Sequence, residues 1–182
     1  DVKMLDIILN SSCFNNEILR IIDKHNGENI LHRWMFAREY DMLKMIILSN
    51  HCDITILLQK NKHGESLFTN VFGLDDFVII QLILENIKMN PSDLLVKDNN
   101  GDTFLHKLAR MSFDQIQAQK HYNLEEFLEK MDKIINSNMC SKELFLETNN
   151  DGDTFILINP YLLKNVLNSN YCTKELIMHS NN

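Results

Sequence analysis

Proline and glycine are scarce, two and five in 182 residues. So few turn formers argue against a protein of many short strands and for helices. Basic residues are outnumbered, 18 against 25 acidic, which leaves a formal charge of −7. An acidic surface repels phosphates and suits basic protein surfaces, so no nucleic-acid partner is expected. No apolar run approaches the ~18 residues of a membrane-spanning helix. The opening DVKMLDIILN carries acid where a signal peptide carries base. There are four cysteines and no C-x-x-C pair, so the usual zinc and disulfide-framework spacings are missing. No glycine-rich phosphate loop, H-E-x-x-H run or nucleophile elbow occurs. The composition that remains, 45% hydrophobic and 24% charged, is enough to bury a core.

The few glycines stand in phase. Gly27 opens GENILH, Gly64 opens GESLFT, Gly101 opens GDTFLH and Gly152 opens GDTFIL. The first three lie 37 residues apart, and the fourth follows after 51. A period in this range means a stack of similar units. A second column precedes the glycines. Cys52, Met89 and Cys140 each stand 12 residues before the next glycine, Cys13 stands 14 before Gly27, and Cys172 closes the series.

Counting back nine, six and five residues from each marker gives five triplets. They are Met4, Ile7, Ile8; Leu43, Ile46, Ile47; Ile80, Ile83, Leu84; Met131, Ile134, Ile135; and Leu163, Val166, Leu167. All are apolar, and their spacing puts each triplet on one stripe of a helix. Five helices with one apolar stripe each bury it best by packing side by side.

Forward of the markers lie the short apolar pieces ILL 56–58, LLV 94–96, LFL 144–146 and LIM 176–178, read as single helical turns. Asn90-Pro91 has the form of a cap followed by proline at the first helical position. Each glycine ends a polar turn (KHNG, NKHG, DNNG, NNDG), where it supplies a positive φ.

A unit of turn, G-x-T-x-L-H, short helix, second helix and loop resembles the ankyrin repeat. The family signature G-x-T-P-L-H is matched best by Gly101, Thr103, Leu105 and His106, and partly by Gly27, Leu31 and His32. It is weaker at Gly64, with Ser66 and Thr69 in the threonine and histidine places, and at Gly152, with Leu157 in the histidine place. The resemblance implies an all-α fold, an ankyrin-type α-solenoid of stacked helix pairs joined by short hairpin turns. It divides the single array 1–182 into a partial repeat 1–22 and repeats 23–59, 60–96, 97–147 and 148–182, the last incomplete. The third repeat carries a surplus near 111–124, and Asn159-Pro160 is expected to stunt the first helix of the fourth. Both ends are open, so a longer protein or atypical end repeats are expected.

The resemblance also implies the chemistry of the site residues. His32 and His106 bond the backbone of the adjoining turn and are not catalytic. The cysteines are small core residues, reduced as in an intracellular, cytoplasmic compartment. His51 beside Cys52 has no carboxylate to orient it. Asp98, Asn100 and Asp102 alternate as in a calcium loop but lack its glycine and closing glutamate. Neither metal nor cofactor is expected.

Partner contacts are implied at His25, Asn26, Glu28, Phe36 and Ala37. In the second repeat they fall at Lys62, His63, Glu65 and Leu74. In the third they fall at Asn99, Asn100, Asp102, Arg110 and Met111. The residues after the four glycines, Glu28, Glu65, Asp102 and Asp153, are all acidic, which suits a basic segment on another protein. The implied function is protein–protein recognition on a concave face, with no enzyme activity and no small-molecule substrate. An IκB-like inhibitor fits, as does a host-directed effector of an AT-rich microbe or virus acting in host cytoplasm. The competing expectation is a structural array in a larger channel or enzyme.

Overall fold

The computed structural model describes residues 2–71, 77–110, 124–137, 139–174 and 178. Among them every regular element is helical, apart from an isolated antiparallel bridge between Lys60 and Ser66. The fold is all-α. The chain divides into two compact units, Asp1–Met89 and Asn90–Asn182.

The N-terminal unit contains α1 (Val2–Leu9), α2 (Glu17–Arg20), α3 (Ile30–Phe36), α4 (Tyr40–Leu48), α5 (Ile54–Leu57), α6 (Leu67–Val71) and α7 (Phe77–Asn86). Helix α4 touches both α1 and α7, and α3 touches both α4 and α6. The stripes explain these neighbours. Leu43, Ile46 and Ile47 of α4 are buried, as are Ile80 and Ile83 of α7, while Leu84 is half-buried. Each such side chain contributes about 1.5–3 kcal/mol when removed from water.

Helix α1 departs from the expected stripe. Met4, Ile7 and Ile8 are exposed, Ile7 by 71%, and Leu5 and Leu9 are buried instead. It packs on α4, so the pair one helical turn apart that faces α4 is buried and the other face is not.

The C-terminal unit opens with a 3₁₀ turn, Pro91–Leu95. It continues through α8 (Phe104–Ala109), α9 (Leu124–Ile135), α10 (Lys142–Leu146), α11 (Phe155–Ile158), a second 3₁₀ turn (Pro160–Leu162) and α12 (Leu163–Leu167). Helix α8 packs on α11, and α9 packs on α12. Phe127, Met131, Ile134 and Ile135 of α9 are buried. In α12 Val166 is buried, but Leu163 and Leu167 are exposed. Asn165 Nδ2 of α12 donates to the Leu128 carbonyl at 2.8 Å and ties it to α9. Phe145 meets Phe155 edge-on at 5.4 Å and stacks on Tyr171 at 5.0 Å.

Three of the short apolar pieces fall at single turns of helix: 144–146 lies within α10, while 56–58 and 94–96 end on the C-cap residues of α5 and the first 3₁₀ turn. Their caps explain why they start where they do. Asp53 Oδ1 accepts the Ile56 amide at 3.1 Å, and Ser141 Oγ accepts the Leu144 amide at 3.3 Å. Asn90 and Asp93 form a reciprocal capping box around Pro91. Helix α11 is four residues long and stops at Asn159, as the following Pro160 requires. The surplus segment at 111–123 lies outside the described residues, and so does most of the piece at 176–178.

Candidate partner-binding surface

Each hairpin is organised by one side chain that accepts backbone amides. Asp23 Oδ1 accepts the amides of His25 and Asn26. Asn61 Oδ1 accepts those of His63 and Glu65, Asp98 Oδ1 those of Asn100 and Asp102, and Asn149 Oδ1 those of Asp151 and Asp153. The same residue closes the hairpin through its backbone: Asp23 N donates to Glu28 O, Asn61 N to Glu65 O, Asp98 N to Asp102 O and Asn149 N to Asp153 O. Gly27, Gly64, Gly101 and Gly152 then take φ of 72°, 74°, 74° and 86°, a region where other residues are strained. The sequence pattern held this column unread: Asn61, Asp98 and Asn149 each stand three residues before their glycine.

Within each unit the hairpins are bonded to one another. In the N-terminal unit Lys62 N donates to Asn26 O at 2.9 Å, and Lys62 Nζ donates to Lys24 O at 2.7 Å. In the C-terminal unit Asn150 N donates to Asn100 O, and Asn150 Nδ2 donates to Asn99 O, both at 2.9 Å.

The two signature histidines are straps. His32 Nε2 lies 3.1 Å from Glu65 O, and His106 Nε2 lies 3.0 Å from Asp153 O. A carbonyl only accepts, so Nε2 carries the proton in each ring. Nδ1 of His106 then accepts the Thr103 amide at 3.2 Å and faces the Thr103 hydroxyl at 2.8 Å. Where the signature weakens, hydroxyls take over the cap: Thr69 N donates to Ser66 Oγ at 3.1 Å, and Ser66 N donates to Thr69 Oγ1 at 3.3 Å. At the fourth copy nothing takes over. Among the described residues Thr154 Oγ1 is buried without a partner, because position 157 is leucine.

His25, Phe36, Ala37, Lys62 and His63 are exposed, and Asn26 is half-buried with its carbonyl and side chain used inside the hairpins. Phe36 presents 51% of its surface at the end of α3. Glu28 is mostly covered, 3.9 Å from Arg33, which also holds Asp23 at 2.9 Å. Glu65 accepts from Asn61 Nδ2 at 3.0 Å. Asn99 and Asn100 are exposed at the third tip. Leu74 and Met111 lie outside the described residues.

Asp102 is the most enclosed of the expected contacts. It is fully buried, and both carboxylate oxygens are taken. Arg110 Nε donates to Oδ2 at 2.7 Å, Arg110 Nη2 to Oδ1 at 3.1 Å, and Asn149 Nδ2 to Oδ1 at 3.2 Å. Burial pushes its pKa up, but the bonds from Arg110 and Asn149 and the charges of Arg110 and Lys107 outweigh this and hold it below the usual value. The acid after the glycine therefore builds the hairpin here. Lys107 Nζ binds Asp98 Oδ2 at 2.5 Å in the same way. Position alone gave no sign that Arg33, Lys107 and Arg110 would engage these acids.

Burial raises the Cys52 and Cys140 thiols to about 12, so neither supplies a thiolate near neutral pH. His51 faces Asn16 Oδ1 and the Leu9 carbonyl with its two ring nitrogens. Among the described residues no cluster of His, Cys, Asp or Glu is placed to hold a metal ion, and no helix is long and apolar enough to cross a membrane.

No family model, no curated protein and no solved structure matches this chain.

Proposed function

We propose that the chain is an array of ankyrin-type repeats and that it recognises another protein, with a basic segment, through its hairpins and first helices. The observation that carries this reading is the internal satisfaction of the hairpins. Asp23, Asn61, Asp98 and Asn149 fix the tips, and inter-hairpin bonds lock neighbouring tips within each unit. Side chains such as His25, Phe36 and Asn100 stand outside that framework and are exposed. A surface fixed before binding loses little conformational entropy when it binds. An exposed aromatic with exposed polar tips has the composition of a binding anchor and a rim. The formal charge of −7 favours a basic partner. Four free thiols support a reducing, intracellular compartment, where the protein would act as an inhibitor of a resident protein or as an effector in host cytoplasm.

The test is selection of a displayed random-peptide library on the full chain. Binders should lose their hold on a His25→Glu, Phe36→Ala, Asn100→Arg variant whose helical content and melting are unchanged. Binders that hold the variant as tightly as the parent would refute the proposed surface.

A further inference from the structure

The two hairpins of the C-terminal unit border an open cleft of about 400 Å³, lined by Asn100, Asp102, Lys107, Arg110, Asn150 and Asp151. Pockets for small ligands run from about 300 to 1,000 Å³ and are mostly apolar. This cleft sits at the small end of that range and is lined by polar and charged side chains, which suits the tip of one polar side chain.

The charges in the lining are not equivalent. Asp102 is neutralised by Arg110 in a two-bond pair and has no exposed surface. Lys107 is neutralised by Asp98. These pairs form the wall and cancel. Asp151 is the charge left over. Its amide is spent on Asn149 Oδ1, which fixes the tip, while its side chain is exposed and makes no hydrogen bond or ion pair among the described residues. Arg110 does not balance it. That guanidinium already serves Asp102, and its protonated form is favoured first by the bond to Asp102, then by the charges of Asp102, Asp151 and Asp153. An incoming carboxylate would meet a cation already surrounded by acids. An incoming cation would meet a free carboxylate and the exposed amide of Asn100.

We infer that this cleft takes the cationic side chain, arginine or lysine, of a partner's peptide segment, with Asp151 as its counter-ion. The inference rests on the recognition reading above and names the anchor that the C-terminal unit receives. The site is held ready: Asn150 joins the two tips by two hydrogen bonds of 2.9 Å, so Asp151 and Asn100 keep their spacing with the cleft empty.

The experiment uses peptides selected from a random library on the full chain, with affinities measured in about 0.15 M salt, where charges farther apart than ~8 Å are screened. The selected peptides should share a basic residue. Replacing it with glutamine, or making Asp151→Lys, should each weaken binding about tenfold, and the two changes together should cost little more than either alone. Asp151→Asn, which keeps the side chain's size, should give most of the loss with melting unchanged. A shared acidic residue would overturn the inference. So would basic peptides indifferent to both Asp151 variants; if those peptides still lose the His25, Phe36, Asn100 triple variant, the recognition reading stands and this anchor alone falls. A library that yields no binder counts against both.

Discussion

A methyl group added to Gly101 would lie 2.5 Å from Asn150 Oδ1 and 2.7 Å from the Asn150 backbone nitrogen. Two hairpins of the C-terminal unit therefore touch at a point where only hydrogen fits. Gly152 has the same type of backbone, φ 86°, but nothing within 4 Å of the same position. The pair separates two costs. Gly152→Ala should lose about 1–2 kcal/mol from the positive φ alone. Gly101→Ala should lose that and a further ~1–3 kcal/mol, because the backbone of the next hairpin must move. Urea midpoints with unchanged m-values measure both. Equal losses would mean that the tips can separate freely.

The caps offer a second contrast. Thr103 shares a buried cap with His106, whereas Thr154 has a buried hydroxyl and no partner. Thr103→Val should cost about 1–2 kcal/mol, as loss of a cap does. Thr154→Val removes an unsatisfied group without removing a bond, and should be neutral or stabilising by up to about 1 kcal/mol. Thermal melts of the two variants decide. A comparable loss at both sites would show that Thr154 has a partner in solution.

The inner part of the fold was legible because burial there is two-sided. Leu43, Ile46, Ile80, Ile83 and Met131 fill the stripe that helical spacing assigns them. The end helices were not legible, since a repeat pattern marks which residues could be covered and not which are: Met4, Ile7 and Ile8 match the column and stand exposed. The turns were readable from glycine, but their keystone was not. Asn61, Asp98 and Asn149 hold the loop through bonds to its amides, which form only once the turn has closed. The structural share of the acidic column was hidden for a related reason. Charge in a turn reads as solvated until the partner is known, and Arg110, eight residues from Asp102 in sequence, becomes its neighbour only once α8 has formed.

Arg38 gives a third prediction. It is the one residue other than glycine with a positive φ among the described residues, at 58°, in the turn between α3 and α4. Its amide bonds Met35 O at 3.0 Å, and its side chain is exposed. A side chain in this conformation costs about 1–2 kcal/mol, and glycine avoids that cost while adding freedom to the unfolded chain. Arg38→Gly should therefore stabilise by roughly 0.5–1 kcal/mol, and Arg38→Val, with a branched Cβ, should destabilise. Chemical denaturation of both variants checks the order. A glycine variant less stable than the parent would mean that the arginine side chain carries a contact worth more than the strain.

The last prediction concerns acid. Burial lowers the His106 pKa below its ordinary 6.5, more than the bond to Asp153 O and the charge of Asp102 raise it. The unfolded chain therefore takes up a proton near pH 6.5 that the folded chain refuses. Stability from this residue is complete above pH 6.5 and is lost as pH falls through that value toward the lowered folded one. The geometry agrees: Nδ1 accepts the Thr103 amide, so a proton there would set two donors against each other. Asp53 and Asp102 are held below their ordinary 3.8 despite burial, so their contribution is present above that value and disappears below it. Unfolding free energy measured against pH should thus decline in two steps, one starting near 6.5 and one below about 4. His106→Gln should lower stability at pH 7.5 and flatten the first step while leaving the second. Asp102→Asn should weaken the second and, by removing a charge that raises the His106 pKa, deepen the first. A parent curve that is flat between pH 7 and 5, or an unchanged first step in His106→Gln, would show that this ring is not what senses the proton.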